Sequence, residues 1–292
     1  MDKQKIYKGQ LRATKVPCCA IELSHMQRLF DFISDFNENA VKRQIDAQVQ
    51  NTNESDDDFE KRKELIKQYL IVTVQVLSSK GDVRFGFDKS IFVESTLPDT
   101  VEKVIIDNYS LYQSTFNLMP TNTIKIEFDF SKPKLFDFTT SPSYATANQS
   151  SLSMQGEGDN VVGTFEQIMS SLEDRTSKWA WLHKANTYDL ILWFFIAPIM
   201  FWNLYKLEPA IGRVLTSSAV FNGAVYVYLL IAMLWVYRIF FNAFRWLFPY
   251  LELRMPTKKG PTALRALLGT VFLAAVGPSL SGFLKFLFHL IF

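Results

Sequence analysis

The stretch Val214-Leu-Thr-Ser-Ser-Ala-Val-Phe-Asn-Gly-Ala-Val-Tyr-Val-Tyr-Leu-Leu-Ile-Ala-Met-Leu-Trp-Val-Tyr237 runs for 24 residues without a charged side chain. A helix rises about 1.5 Å per residue, so about 20 apolar residues cross a hydrocarbon layer of about 30 Å. This run is long enough by itself. Two others flank it, at residues 190–205 and 266–284. The second of these is also long enough, and the first becomes so with its interfacial flanks. Spans are expected at about residues 188–206, 215–238 and 264–284, within a membrane region covering 187–292. Everything before them reads as a domain delivered to a bilayer.

Outside these runs the chain looks like a water-soluble protein. Its 292 residues are 48% hydrophobic with a net charge of +2, a balance that points neither to nucleic acid nor to an acidic substrate. The only cysteines, Cys18 and Cys19, are adjacent, and a disulfide between neighbours is strained. They read as small residues at a strand end in a reducing compartment, with lipidation and redox sensing as competing readings. The start, Met1-Asp2-Lys3-Gln4-Lys5, is charged and opens no signal-peptide core, so the soluble part is expected to stay where it is made. His25, His183 and His289 stand in no metal-ligand spacing with one another or with cysteine.

Working back from the runs, residues 1–131 predict a soluble α+β domain. Residues 5–14 and 19–23 alternate loosely as strand, broken at Pro17. Ser24 with Gln27 reads as a capping box, and Met26, Leu29, Phe30, Ile33 and Phe36 give one helical face running to about residue 50. The acidic cluster at 51–58 lacks the glycine and glutamate spacing of a calcium loop and reads as a solvated loop. Residues 69–77 are the strongest strand, joined through the 78–82 turn to residues 83–87 as a hairpin. Residues 101–107 suit a strand, although Val101, Val104, Ile105, Tyr109 and Tyr112 also fit a helix. Residues 123–130 alternate clearly, with Ile124, Ile126, Phe128 and Phe130 on one face. The result is an antiparallel sheet with a long packing helix; the helical alternative at 101–112 would give a ferredoxin-like split order.

Residues 132–186 read as a linker, a possible edge strand at 151–155 and a juxtamembrane amphipathic helix with Asp159 as a candidate cap. Lys178, Trp179, Trp181 and Lys184 suit an interfacial belt, with packing on the soluble domain as the competitor. Arg245 and Trp246 belong to a segment, 242–253, expected in the same interface. Pro198, Gly277 and Pro278 are expected helix kinks, and the third run allows a re-entrant turn at Gly277-Pro278.

Orientation follows from lysine and arginine near the span ends. The N-terminal flank and the second loop hold Arg175, Lys178, Lys184, Arg238, Arg245, Arg254, Lys258, Lys259 and Arg265; the first loop holds only Lys206 and Arg213, and Lys285 lies near the end. That bias places the soluble domain in the cytoplasm. No ionisable residue interrupts the three runs, which disfavours a pump or proton channel. No Walker loop, Gly-x-Ser-x-Gly or zinc spacing occurs, and Glu127, Asp129 and Asp137 read better as surface charges than as an acid–base pair. The expected protein is a non-enzymatic, multi-pass membrane protein of bacterial inner or plasma membrane, presenting a cytoplasmic binding or sensing domain. It is expected to need no cofactor, metal or nucleic acid, to contact lipid, and to bind a protein partner or itself; the sequence names no ligand. The alternative is an oligomerising effector of bacterial defence that permeabilises the bilayer when triggered.

Overall fold

The computed structural model describes residues 10–137, 139–156, 159–212, 218–256 and 262–291. The expected strand positions 5–9 and the expected cations Arg213, Lys258 and Lys259 lie outside the described residues. Two compact units make up the chain. The first draws its described residues from Met1–Ser131, Asn148–Lys178 and Leu251–Lys258, the second from Lys132–Ala147, Trp179–Tyr250 and Lys259–Phe292.

The first unit is built on a six-stranded antiparallel sheet. Its strands are β1 (Gln10–Lys15), β3 (Thr73–Ser78), β4 (Val83–Gly86), β5 (Val101–Asp107), β6 (Thr123–Asp129) and β7 (Ser151–Gly156), in the order β1-β7-β6-β5-β3-β4. The alternation predicted for residues 123–130 holds. Ile124, Ile126 and Phe128 are fully buried, as are Val74 and Val76 on β3, so one face of the sheet is core. Gly81, at φ 89°, turns the β3–β4 hairpin, a backbone region that a side chain disfavours. A second, parallel pair joins β2 (Cys19–Glu22) to β8 (Leu251–Arg254), in register from Cys19 opposite Leu251 to Glu22 opposite Arg254.

Helix α1 (Leu23–Asp46) buries Met26, Leu29, Phe30, Ile33 and Phe36, the face that its spacing predicts. Its cap differs from expectation. Because β2 runs directly into the helix, Glu22 is the capping position, without a side-chain bond, and Ser24 lies inside the first turn. The helix also stops at Asp46 rather than near residue 50. The acidic cluster is half loop and half helix. Ser55 Oγ accepts from the Asp58 amide at 3.2 Å, and Asp56, Asp57 and Asp58 form the first turn of α2 (Asp56–Tyr69). Three carboxylates at a helix N-terminus complement its partial positive charge. This helix takes Tyr69, so the strand expected from residue 69 begins at Thr73 instead.

Residues 101–107 are strand, and the helical spacing at Tyr112 belongs to a separate short helix, α3 (Ser110–Phe116). The ferredoxin-like order is thereby excluded, because β5 and β6 are antiparallel neighbours in a meander. Strand β7 is not an edge: it sits between β1 and β6. Helix α4 (Asp159–Glu173) follows and buries Val161, Ile168 and Leu172. The Asp159 side chain lies outside the described set, so its capping role is not addressed.

In the second unit, α5 (Thr187–Ile191), a π-helical turn (Leu192–Ile196) and α6 (Ala197–Ile211) follow one another without a break. Pro198 lies in the first turn of α6. It has no N–H for the carbonyl four residues back, Phe194, and that carbonyl belongs to the widened π turn. Helix α7 (Ala219–Leu247) extends well beyond the run that announced it. Residues 242–247 therefore continue the helix and 251–253 enter β8. Helix α8 (Thr262–Ile291) passes through Gly277 and Pro278 unbroken, which overturns the re-entrant turn. Among the described residues, three helical stretches are long and apolar enough to cross a membrane: Thr187–Pro209, Ala219–Leu247 and Ala263–Phe283.

Candidate functional site

The densest buried polar cluster of the second unit sits on the C-terminal half of α7. Arg238, Asn242 and Arg245 are spaced by four and three residues, which puts them on one helical face. Their partners are backbone carbonyls. Arg245 Nε donates to Leu182 O at 3.0 Å and its Nη2 to Tyr144 O at 3.2 Å, while the guanidinium lies 4.6 Å from the Phe241 ring. Arg238 Nη2 donates to Asp137 O and Thr140 O, both at 2.8 Å. Asn242 Nδ2 reaches Leu135 O at 3.5 Å. Together these bonds fasten Leu135, Asp137, Thr140, Tyr144 and Leu182 to α7.

His183 sets a second anchor. Its Nε2 lies 2.7 Å from Phe248 O, and its Nδ1 lies 2.8 Å from Thr146 Oγ1. A carbonyl only accepts, so Nε2 carries the proton, and a neutral ring then accepts the threonine hydroxyl at Nδ1. Burial favours that neutral form and pushes the ring's pKa down to about 4, with Arg245 adding repulsion against the Phe248 carbonyl's opposing pull. Nearby, Tyr237 Oη donates to Tyr188 O at 2.9 Å, the two rings stack 4.7 Å apart, and Ser143 Oγ donates to Asp189 at 2.9 Å. The cluster pairs the Thr146 hydroxyl with the His183 imidazole, whose other nitrogen is held by a backbone carbonyl rather than a carboxylate. Its geometry orients helices.

The residues expected at an interface divide between these contacts and the surface. Trp179 stacks on Phe248 at 4.1 Å and lies 6.4 Å from Trp181, both rings remaining well exposed. Lys178 and Lys184 are exposed. Trp246 receives the Lys132 ammonium 4.5 Å from its ring. Arg245 is buried, at 6% exposure, which the sequence reading missed along with Arg238, Asn242, His183 and Tyr237. The signal was present in the four-and-three spacing of Arg238, Asn242 and Arg245 within an apolar helix. Pro198, Gly277 and Pro278 belong to α6 and α8 and take no part in the cluster.

The first unit offers different chemistry. On the outer face of the sheet, Glu127 is bridged by Lys103 at 2.7 Å and Lys125 at 3.0 Å. Burial raises the pKa of this carboxyl, but the two lysines outweigh it and hold it below the usual range. Asp129 accepts from the Ser131 and Gln149 amides. Asp137, in the second unit, accepts from Thr139 Oγ1 and from the Thr139 and Thr140 amides, which hold it well below the usual range. Each of the three carboxylates thus terminates a turn or a charge ladder. Cys18 and Cys19 are free and buried beside the β2–β8 pair, and burial pushes their thiols up to about 11 and about 12. His25 lies 3.2 Å from Ser171 Oγ; burial, then Arg175 and Arg28, lower it to about 4 against Glu22. A polar cleft of about 260 Å³, lined by Asp35, Asn39, Arg43 and Gln167 among others, opens between α1 and α4.

Among the described residues, no group of three or more histidine, cysteine, aspartate or glutamate side chains is placed to hold a metal ion. No family model matches the chain, and neither the curated proteins nor the solved structures contain a match.

Proposed function

We propose that this chain is an integral membrane protein presenting a non-enzymatic binding or sensing domain at the cytoplasmic face of a bilayer. The observation that carries the proposal is the surface of α7. Val220, Phe221, Tyr228, Leu234, Trp235 and Val236 are all exposed on a single long helix. Water-soluble monomers rarely expose contiguous apolar patches beyond a few hundred Å². Two further observations support the orientation. The first unit contains residues from before the first span and from between the second and third, and one folded body occupies one side of a bilayer. The same two segments hold most of the cations, the bias of cytoplasmic flanks. Recognition is assigned to the first unit, whose polar cleft between α1 and α4 is its candidate surface.

Impermeant maleimide labelling of the full chain in cells tests this reading, because the native thiols are buried. Ser79→Cys and Arg254→Cys are expected to react only from the cytoplasmic side, and Ser218→Cys only from the other. Labelling of Ser79→Cys and Arg254→Cys from opposite sides overturns the topology, and release of the chain by alkaline carbonate overturns membrane insertion. Photo-crosslinking from position 39 is expected to capture a specific partner; capture no greater than from exposed position 67 overturns the role of the cleft.

One feature favours the second reading, an oligomerising effector. The first span combines the π-helical turn at Leu192–Ile196 with Pro198 and with Pro209 inside α6, irregularities that recur where helices rearrange. Loss of membrane potential on overexpression supports this reading; cells that remain polarised under every trigger overturn it.

A further inference from the structure

Helices α6, α7 and α8 line an open groove of about 650 Å³. Its wall is formed chiefly by apolar side chains, among them Ile199, Met200, Leu229, Met233, Val236 and Phe272. The volume falls within the range of about 300–1,000 Å³ usual for small-molecule sites. Water is a poor occupant of such a wall, because it needs about two to four polar partners.

The polar groups on the wall follow an order. Lys206 lines the groove from the C-terminal half of α6, its ammonium 5.1 Å from the Trp202 ring. Gly282 on α8 leaves room for it: a Cβ there would stand 3.2 Å from Trp202 Nε1 and 3.4 Å from Lys206 Nζ. One turn back along α6, about 4.5 Å at the helical rise, Ser279 Oγ donates to Asn203 Oδ1 at 2.9 Å. Beyond that pair the lining is Met200 and Ile199 of α6 and Ile196 of the π-helical turn. A cation, then an amide and hydroxyl, then an apolar trough is the order in which a glycerophospholipid presents its complements: phosphate, ester carbonyls, acyl chain.

We propose that this groove binds one phospholipid of the surrounding bilayer, its phosphate against Lys206 and an acyl chain between α6, α7 and α8. The site rests on the membrane reading above, under which these helices have lipid as their solvent. Lys206 and the trough then select a lipid from the leaflet opposite the first unit.

Native mass spectrometry of the full chain, released from detergent micelles after extraction from a phosphatidylglycerol-containing membrane, tests the proposal. The unmodified chain is expected to retain one phospholipid. Lys206→Glu is expected to lower the retained fraction about fivefold, the loss of roughly one charge contact. Lys206→Arg should preserve retention, and Ala232→Trp, which fills the trough, should abolish it. Inorganic phosphate should not displace the lipid, since phosphate lacks the chain that fills the trough. Equal retention in all variants marks loosely held surrounding lipid and overturns the site, as does displacement by phosphate alone. A chain that leaves the membrane fraction without detergent overturns the membrane reading instead.

Discussion

The two units are organised by opposite means. In the first, position is written in alternation: Val74 and Val76 turn inward from β3 while Gln75 and Leu77, each following one of them, are only half-buried. In the second, the N-terminal half of α7 is almost wholly apolar, and its C-terminal half is fixed by a few polar bonds from Arg238, Asn242, Arg245 and Tyr237. Under the proposed membrane insertion, the contrast follows from the solvent. Water penalises any apolar face left outside, so an apolar pattern selects one packing. Lipid is as apolar as leucine, so apolar contacts between spanning helices distinguish little and the polar contacts specify geometry.

The comparison breaks or sharpens under substitution. Phe128→Ala empties a fully buried site of the sheet core. It is expected to destabilise the detergent-solubilised chain by about 3–5 kcal/mol in thermal unfolding. Leu234→Ala, on the exposed surface of α7, should stay within about 0.5 kcal/mol. Equal effects at the two sites would erase the distinction.

Next in size is Arg245→Ala, which removes two charge-assisted bonds to backbone carbonyls from a buried guanidinium and should cost about 3 kcal/mol. Lysine lacks the planar fork that reaches both Leu182 O and Tyr144 O, so Arg245→Lys should recover less than half of that loss. Full recovery by lysine would mean that charge alone anchors α7.

A smaller effect is expected from pH. His183 has a folded pKa of about 4, below the ordinary 6.5, so the unfolded chain takes up the proton first. Stability is therefore full above pH 6.5, falls as the pH drops, and reaches its lower level below pH 4. His25 titrates in the same window and direction. His183→Gln should remove part of the slope of melting temperature against pH, and an unchanged slope would detach His183 from the anchor. A further small effect is expected for Ser55→Ala, about 1 kcal/mol for the lost cap of α2, read by denaturant unfolding.

Much of the first unit is legible in the sequence because water writes its pattern there. Ile124, Ile126 and Phe128 declare a strand, and Met26, Leu29, Ile33 and Phe36 declare a helix and its buried face. Boundaries are less legible, since Tyr69 suits a strand by propensity and is taken by α2 once Ser55 and three aspartates start that helix. The parallel pairing of β2 with β8 is invisible locally. Leu251-Glu-Leu-Arg254 is four residues long, and its partner stands near the opposite end of the chain. The three apolar helices are plain from composition, yet composition carries no face. The collar of Arg238, Asn242 and Arg245 was hidden because a cation just past an apolar run reads as a loop charge until the helix is known to continue.

The β2–β8 pair also dictates an order of assembly. Synthesis delivers β2 near the start, but Leu251, buried at 1% exposure against it, emerges only after α5, α6 and α7 have been made. Until then Ile21 and its neighbours present an open parallel edge, an invitation to wrong pairing. The first unit is completed only once the chain has passed through its second apolar helix. A fragment ending at Lys178 lacks that closing strand, so maturation of the sheet domain is timed by the helices that follow it.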